Sequence, residues 1–560
     1  MARIEELDVA NYRSIGKYAA RISFPRHTPV VLLGENNAGK SNLVKALQLV
    51  LGEKWPGNHD AEDHEFYGRE RDKKICIDVY FDPADKYGGR YEQVKFRFDS
   101  DAKGDPVTFG GKPALEDWHG DTSYINSDDR ETCTCIVVGA ERNLDYQLSY
   151  KSKHTFLSKL MHRFHKAMLE DEEVKSDLEE IFFDIKSKFH DVDQFSTFTK
   201  GLQNNLDQLV GSMSHQLEVD FEAYNPVNFF RALRLQAVED DQVRTLEELG
   251  TGEEQVLAIA FAHAYAKAFH GGIFLIIEEP EAHLHPVMQR WLSRRIHEMS
   301  EDGLQILITT HSPAFIDLLN LEGLVLARKD SEGTYTIQKT AENLADHCIS
   351  KGVPKSYIDK KTFLSFYKAH STEKILSGFF AKKVILVEGP TEKLALPEYL
   401  RQVGFDLLER GIEILSVGGK GNLAKWWRLF TLYEIPTYII FDNDASDDEK
   451  GNRRRDALGA LSIENNQIEA AIGSNDWLIE DKYSVFGVDF ETTLRQLIPE
   501  YESFEAEAKK YIDSKSKPLI ARYAARKTDL EEYQSAYDKF DELAEQIASL
   551  EYAREEPSFS

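Results

Sequence analysis

The chain reads as an α/β protein: a head split by a helical insertion, then a smaller parallel-sheet domain and a helical tail. Three observations predict this. A glycine-rich loop, Gly34-Glu35-Asn36-Asn37-Ala38-Gly39-Lys40-Ser41, lies between an apolar run and a helical pattern. Far downstream, from 383 to 441, strand and helix patterns alternate in strict succession, as a parallel sheet requires. Between the halves of the head, residues 153–235 are apolar at helical spacing.

The elements follow in order. Val30 to Leu33 is a buried strand, and Val44, Leu47 and Leu51 mark one face of a helix over Ser41 to Leu51. Ile75 to Phe81 and Val94 to Phe98 read as strands among glycine-rich turns. Phe156, Leu157, Leu160, Met161, Phe164, Ala167 and Met168 carry the insertion's helical stripe. The head resumes with an Ala-rich helix, Glu254 to Phe269, and apolar strands at Ile273 to Ile277 and Gln305 to Thr309. The second module predicts strands at 383–387, 411–417 and 436–441 and helices at 391–403 and 422–434. In the tail, Thr528 and Glu531 form a capping-box pair before a stripe of Leu530, Tyr533, Tyr537, Phe540, Leu543, Ile547 and Leu550. The domain boundaries are 1–152, 153–235, 236–345, 346–380 (a connector), 381–500 and 501–560.

Composition bounds the classes open to such a chain. It has 560 residues, 42% hydrophobic and 29% charged, as in globular proteins, with no bilayer-spanning apolar run and no secretory core at the amino terminus. Cys76, Cys133, Cys135 and Cys348 are too scattered for a disulfide framework, and Cys133 and Cys135 read as packed thiols on one strand face. A cytoplasmic protein without a membrane partner is expected. The formal charge of −28 argues against indiscriminate binding of nucleic acid. It leaves open a metal site built of carboxylates, whose ions invert the local sign. Arg453-Arg454-Arg455 is the one local basic triplet in view.

The glycine-rich loop fits the phosphate-binding pattern at every defining position. Gly34, Asn37 and Gly39 shape a loop whose backbone N–H groups face phosphate, Lys40 reaches the β and γ phosphates, and Ser41 ligates Mg²⁺. The strand from Ile273 ends in Glu278 and Glu279: the first suits the Mg²⁺ shell, the second can polarise an attacking water. His311, at the tip of the following strand, is placed to sense the γ phosphate. His283 and His285 sit in a loop expected to touch a partner subunit.

A second constellation gathers carboxylates. Glu388 ends a buried strand, Glu392 lies one turn into the next helix, and Asp442 and Asp444 leave a later strand end. Carboxylates so clustered repel unless a cation holds them, which points to divalent metal. Asp489 and Glu491 are candidates for a second ion, and two ions suit an in-line displacement at phosphorus. Lys517 is the first choice for a lysine at the scissile phosphate, with Lys420 and Lys515 left open.

The first set resembles the ABC-type ATPase heads of SMC and RecF proteins. That resemblance implies dimerisation through a signature loop, here Leu249-Gly250-Thr251-Gly252-Glu253-Glu254-Gln255, with Gly252 at the nucleotide and Gln147 reaching the metal. Gly250 stands for the usual serine and Glu278 for the usual aspartate, so nucleotide binding is expected to outlast vigorous hydrolysis. The second set resembles a TOPRIM domain through Glu388, Asp442, Asp444 and the turn Ser416-Val417-Gly418-Gly419-Lys420-Gly421. The whole layout resembles the OLD (overcoming lysogenization defect) nucleases, class 2, a group that includes the Gabija nuclease subunit and retron-associated nucleases. The resemblance implies a DNA endonuclease using Mg²⁺ or Mn²⁺, two ions in its TOPRIM site, and ATP with Mg²⁺ in the head. It implies a homodimer or tetramer built through head and insertion, a helicase or reverse-transcriptase system as partner, and antiphage defence or DNA processing. The rival expectation is a non-catalytic, ATP-gated DNA clamp. The sign of ATP's control is open at this level.

Overall fold

The computed structural model describes residues 2–52, 61–98, 110–113, 132–139, 273–443 and 476–551, less a few positions, together with strands at 237–239 and 242–244 and scattered helical residues between them. The expected roles of Gln147, Gly250, Gly252, His283, Asp444, Arg453–Arg455, the insertion's stripe and the Glu254–Phe269 helix fall outside the described residues or on isolated ones. Val138–Phe269 form a compact unit of their own, in which strands β8 (Ala237–Glu239) and β9 (Gln242–Arg244) make an antiparallel hairpin. All that follows concerns the other unit.

The head is built on two sheets. One is antiparallel, in the order β2 (Ala20–Ser23), β1 (Ile4–Ala10), β4 (Ile75–Phe81), β5 (Tyr91–Phe98), β6 (Gly110–Pro113). Alternate residues of β4 are buried, the period-2 pattern of a sheet with one face on a core. The other runs β13 (Gly333–Gln338), β12 (Leu324–Asp330), β3 (Val30–Leu33), β11 (Gln305–Thr309), β10 (Ile273–Glu278), β7 (Thr134–Gly139). Its β10, β11, β3 and β12 are parallel, and β3 is buried at every residue, as a central parallel strand must be. The helix Lys40–Leu51 buries Leu43, Val44, Leu47 and Leu51, so the expected stripe is its packing face.

The second module's sheet runs β15 (Ile412–Ser416), β14 (Lys383–Val387), β16 (Thr437–Asp442), β18 (Tyr483–Phe486), β17 (Leu478–Ile479). All pairs are parallel except β17 with β18. The chain leaves β14 for one neighbour and returns on its other side, so the strand order reverses between β14 and β16. At such a reversal the crossover helices diverge and a crevice opens beyond the carboxyl ends of the strands. Glu388 and Asp442 stand at those two ends.

The tail belongs to this module's core. Phe540 stacks on Tyr399 with ring centroids 4.5 Å apart, and Trp477 meets Phe540 edge-on at 5.0 Å. Phe540, Leu543 and Ile547 are fully buried, as the stripe predicts. The expected capping box does not form. Thr528 ends the helix Lys517–Lys527 and its hydroxyl donates to the Ala524 carbonyl. Asp529 instead caps a short turn at Leu530–Glu532, and the long helix starts only at Gln534. Burial of Leu530 in the core pulls that turn away from the helix axis.

Head, connector and second module touch through several side chains. Arg290 pairs with Glu373 at 2.9 Å, His347 meets the Thr431 hydroxyl at 3.2 Å, and Arg328 donates to the Ala381 carbonyl at 3.1 Å. No helix among the described residues is long and apolar enough to cross a membrane.

Candidate functional site

The loop after β3 has the backbone that its glycines permit. Gly34 sits at φ +142°, and a Cβ there would fall 2.3 Å from the Ala327 carbonyl oxygen. Gly39, at φ +101°, would drive a Cβ to 2.3 Å from the Thr334 hydroxyl. Neither can carry a side chain without moving the β12–β13 hairpin. Asn37 occupies the left-handed region at φ +65°, which asparagine tolerates.

Lys40 is buried, and its ammonium donates to the carbonyls of Gly34 at 2.8 Å and Glu35 at 2.9 Å. Burial pushes it down to about 8, against the opposing pull of Glu279, Glu281 and Glu35. A buried cation held over a glycine loop by neutral carbonyls is poised for a more anionic partner. Ser41 is exposed on the helix's first turn.

The opposite wall is the end of β10. Glu278 is half-buried, and Glu279 follows at φ +50°, a strained position for a glutamate. The Glu279 N–H donates to the Thr309 carbonyl, which locks that bend to the neighbouring strand end. Glu281, which the motif reading passed over, does most of the fastening here. One of its carboxylate oxygens accepts from the Thr310 hydroxyl at 2.7 Å and the other from the His311 N–H at 2.6 Å. His311 is half-buried, and its basicity is lowered first by burial and then by Lys40. Its ring faces Phe380, centroids 6.3 Å apart. His285 serves as helix cap, its Nδ1 accepting from the Val287 N–H.

At the second module's strand ends, Glu388, Asp442, Asp489 and Glu392 each have one oxygen fixed by a backbone N–H. Glu388 Oε1 accepts from Asp442 N–H at 2.9 Å, and Asp442 Oδ1 from Phe490 N–H at 2.9 Å. Asp489 Oδ1 accepts from Thr492 N–H at 2.6 Å, capping its helix, and Glu392 Oε2 from Gly389 N–H at 3.2 Å. Glu392 is buried, and its carboxyl is raised by that burial and further by Glu388 and Glu491. These neighbours therefore share one field. Lys420 contacts Glu388 Oε1 at 3.2 Å, and exposed Lys517 lies 4.0 Å from Glu491 Oε1.

Two helices point their amino ends at this edge. The helices Pro390–Gln402 and Lys517–Lys527 run parallel, because Glu398 meets Arg522 and Arg526 while Gln402, further along, meets Ala525 and Leu530. Both positive helix ends thus face the same strand ends and favour anions there. An all-carboxylate donor set with orientations fixed by the backbone suits a hard divalent cation. Among the described residues no three histidine, cysteine or acidic side chains already stand as a closed cage.

Comparison with known proteins gives a consistent picture. The AAA ATPase domain family matches residues 3–112 and 118–316, more than half of the chain. The overcoming lysogenization defect protein-like TOPRIM domain matches residues 379–444. A protein named OLD nuclease from Thermus scotoductus is 25% identical over 84% of this chain and 89% of its own length. A protein named Endonuclease GajA from Bacillus cereus is 24% identical over 74% of this chain and 71% of its own. The Smc head domain of Pyrococcus furiosus aligns over 62% of this chain and 99% of that one, at 14% identity and a TM-score of 0.36.

Proposed function

Because the chain belongs to the AAA ATPase domain family and carries an OLD-like TOPRIM domain, we propose that it is a DNA endonuclease whose head binds ATP to regulate it. The observation that carries this reading is the edge of the second sheet, where the strand order reverses and Glu388 and Asp442 are brought within one hydrogen bond. The relatives named as nucleases support the same activity. Divalent ions bound by Glu388, Glu392, Asp442, Asp444, Asp489 and Glu491 would activate the attacking water and stabilise the leaving oxygen.

The chain's own residues do the rest. The Asp442 and Phe490 N–H groups hold two carboxylates in place before substrate arrives. The two helix ends attract the phosphodiester, and Lys517 adds a mobile positive charge beside Glu491. In the head, Lys40 and Ser41 hold ATP and its Mg²⁺, and His311, tied to Glu281, carries the state of that site to Phe380. The biological role proposed with this activity, from the resemblance to the OLD nucleases, is antiphage defence or DNA processing.

Purified protein, plasmid DNA and Mg²⁺ or Mn²⁺ test the proposal. Glu388→Ala should reduce nicking and linearisation at least about a hundredfold with ATP binding intact. Cleavage by the variant at the parent rate would rule out the proposed site, whereas a parent protein that cuts nothing would favour the non-catalytic ATP-gated clamp. Titrating ATP into the parent reaction gives the sign of control.

A further inference from the structure

The turn at Val417–Lys420 holds Glu388 twice. The Gly419 N–H donates to the Glu388 backbone carbonyl at 2.9 Å, and the Lys420 ammonium contacts Glu388 Oε1 at 3.2 Å. The same ammonium donates to the Asp442 backbone carbonyl at 2.6 Å. Gly418 and Gly419, at φ +74° and +121°, permit the tight turn that starts the helix Lys420–Leu432. The lysine side chain is only 4% exposed, so water does little to balance its charge.

A dry positive charge therefore lies between the two strand ends that bear Glu388 and Asp442. An isolated buried ammonium is costly, and so is a half-buried carboxylate beside further carboxylates. Each answers the need of the other. A divalent ion arriving at Glu388 meets this ammonium on the same carboxylate, and like charges that close oppose one another strongly in a low-dielectric setting.

We infer that Lys420 is a built-in countercation of the carboxylate site, which holds Glu388 in place without metal and competes with divalent ions for it. The inference rests on reading Glu388 as a metal ligand. Neutralising Lys420 has two effects of one sign. It removes the repulsion felt by the ion, and it leaves the metal-free carboxylates with less positive charge beside them, which a bound ion would supply. Metal affinity should rise although the metal-free fold weakens.

The test is a thermal melt of the full chain without DNA or nucleotide, in EDTA and across a Ca²⁺ titration, with calorimetry for the dissociation constant. Lys420→Gln, which can still donate to the Asp442 carbonyl, should melt lower in EDTA and show a larger Ca²⁺-dependent rise. Its Ca²⁺ dissociation constant should be at least about tenfold lower than the parent's. Lys420→Arg keeps the charge and should stay within a fewfold of the parent. Should Lys420→Gln not fold in EDTA, recovery of its melt in Ca²⁺ is the same result, and Lys420→Met serves as a second neutral variant. Unchanged or weaker Ca²⁺ binding by both neutral variants overturns the role of Lys420 alone. A Glu388→Ala protein that keeps the full parental Ca²⁺ response overturns the metal-ligand reading as well.

Discussion

At the scale of single residues, the head depends on atoms that leave no room. Gly34→Ala puts a methyl group 2.3 Å from the Ala327 carbonyl oxygen at a positive φ, so the loop must shift. A loss of about 2 kcal/mol or more in chemical denaturation is expected, with weaker ATP binding. His347 gives a pH test away from either site. Burial, aided by Lys351 and Arg428, holds it down to about 4. The unfolded chain binds its proton near the ordinary value of about 6.5. Stability attached to the neutral ring is therefore complete above about 6.5 and lost as pH falls toward 4. His347→Asn should flatten the decline of Tm across that window, and an unchanged slope would remove His347 from the cause. Residues also divide what sequence can and cannot reveal. Lys40 and Glu388 announce themselves by local spacing. Glu281 and Lys420 act through partners 29 and 22 positions distant, at Thr310 and Asp442, so only the fold exposes their roles.

At the scale of elements, β3, β10, β11, β14, β15 and β16 were legible because short apolar runs closed by glycine, proline or charged residues have few alternatives, whereas β12 and β13 were not picked out. Nor was the start of the last helix. Thr528-Asp529-Leu530-Glu531 offers two caps, and tertiary burial of Leu530 chose Asp529. That helix is structural for the second module: Phe540→Ala removes a ring packed between Tyr399 and Trp477 and should cost about 3–5 kcal/mol. A loss under about 1 kcal/mol would contradict its place in the core. Glu398 fastens the two parallel helices. Its carboxylate is 7% exposed, whereas Arg401, Arg522 and Arg526 are 61%, 42% and 55% exposed. Removing it returns three arginines to water and strands none, so Glu398→Ala should cost only about 1–2 kcal/mol. Cleavage should fall further than stability, because the helix ends that frame the phosphodiester lose their common anchor. Equal losses in both would argue against that anchoring role.

At the scale of the whole molecule, the proposed control runs through few contacts. His311 faces Phe380, and Arg328 reaches the Ala381 carbonyl from the strand beside the glycine loop. Phe380→Ala should leave ATP binding and nucleotide-free cleavage within about twofold of the parent while reducing the response of cleavage to ATP. A full response in that variant would route the coupling elsewhere. The order of the two modules could be read from motif positions. Their mutual contacts could not, since Arg328 and Phe380 carry no pattern beyond their own strands and turns.

The strand β14 lies between these contacts and Glu388. An extended strand rises about 3.3 Å per residue and can hardly shorten, so it works as a strut. On the proposed coupling, a displacement at Ala381 would pass along β14 to Glu388. Ligand geometry fails once a donor is displaced by about 0.5 Å. If cleavage is controlled as proposed, a displacement of that size at Glu388 would suffice, with no lid and no unfolding. On the proposed function, the His311–Phe380 contact stands at one end of that strut and the carboxylate edge at the other.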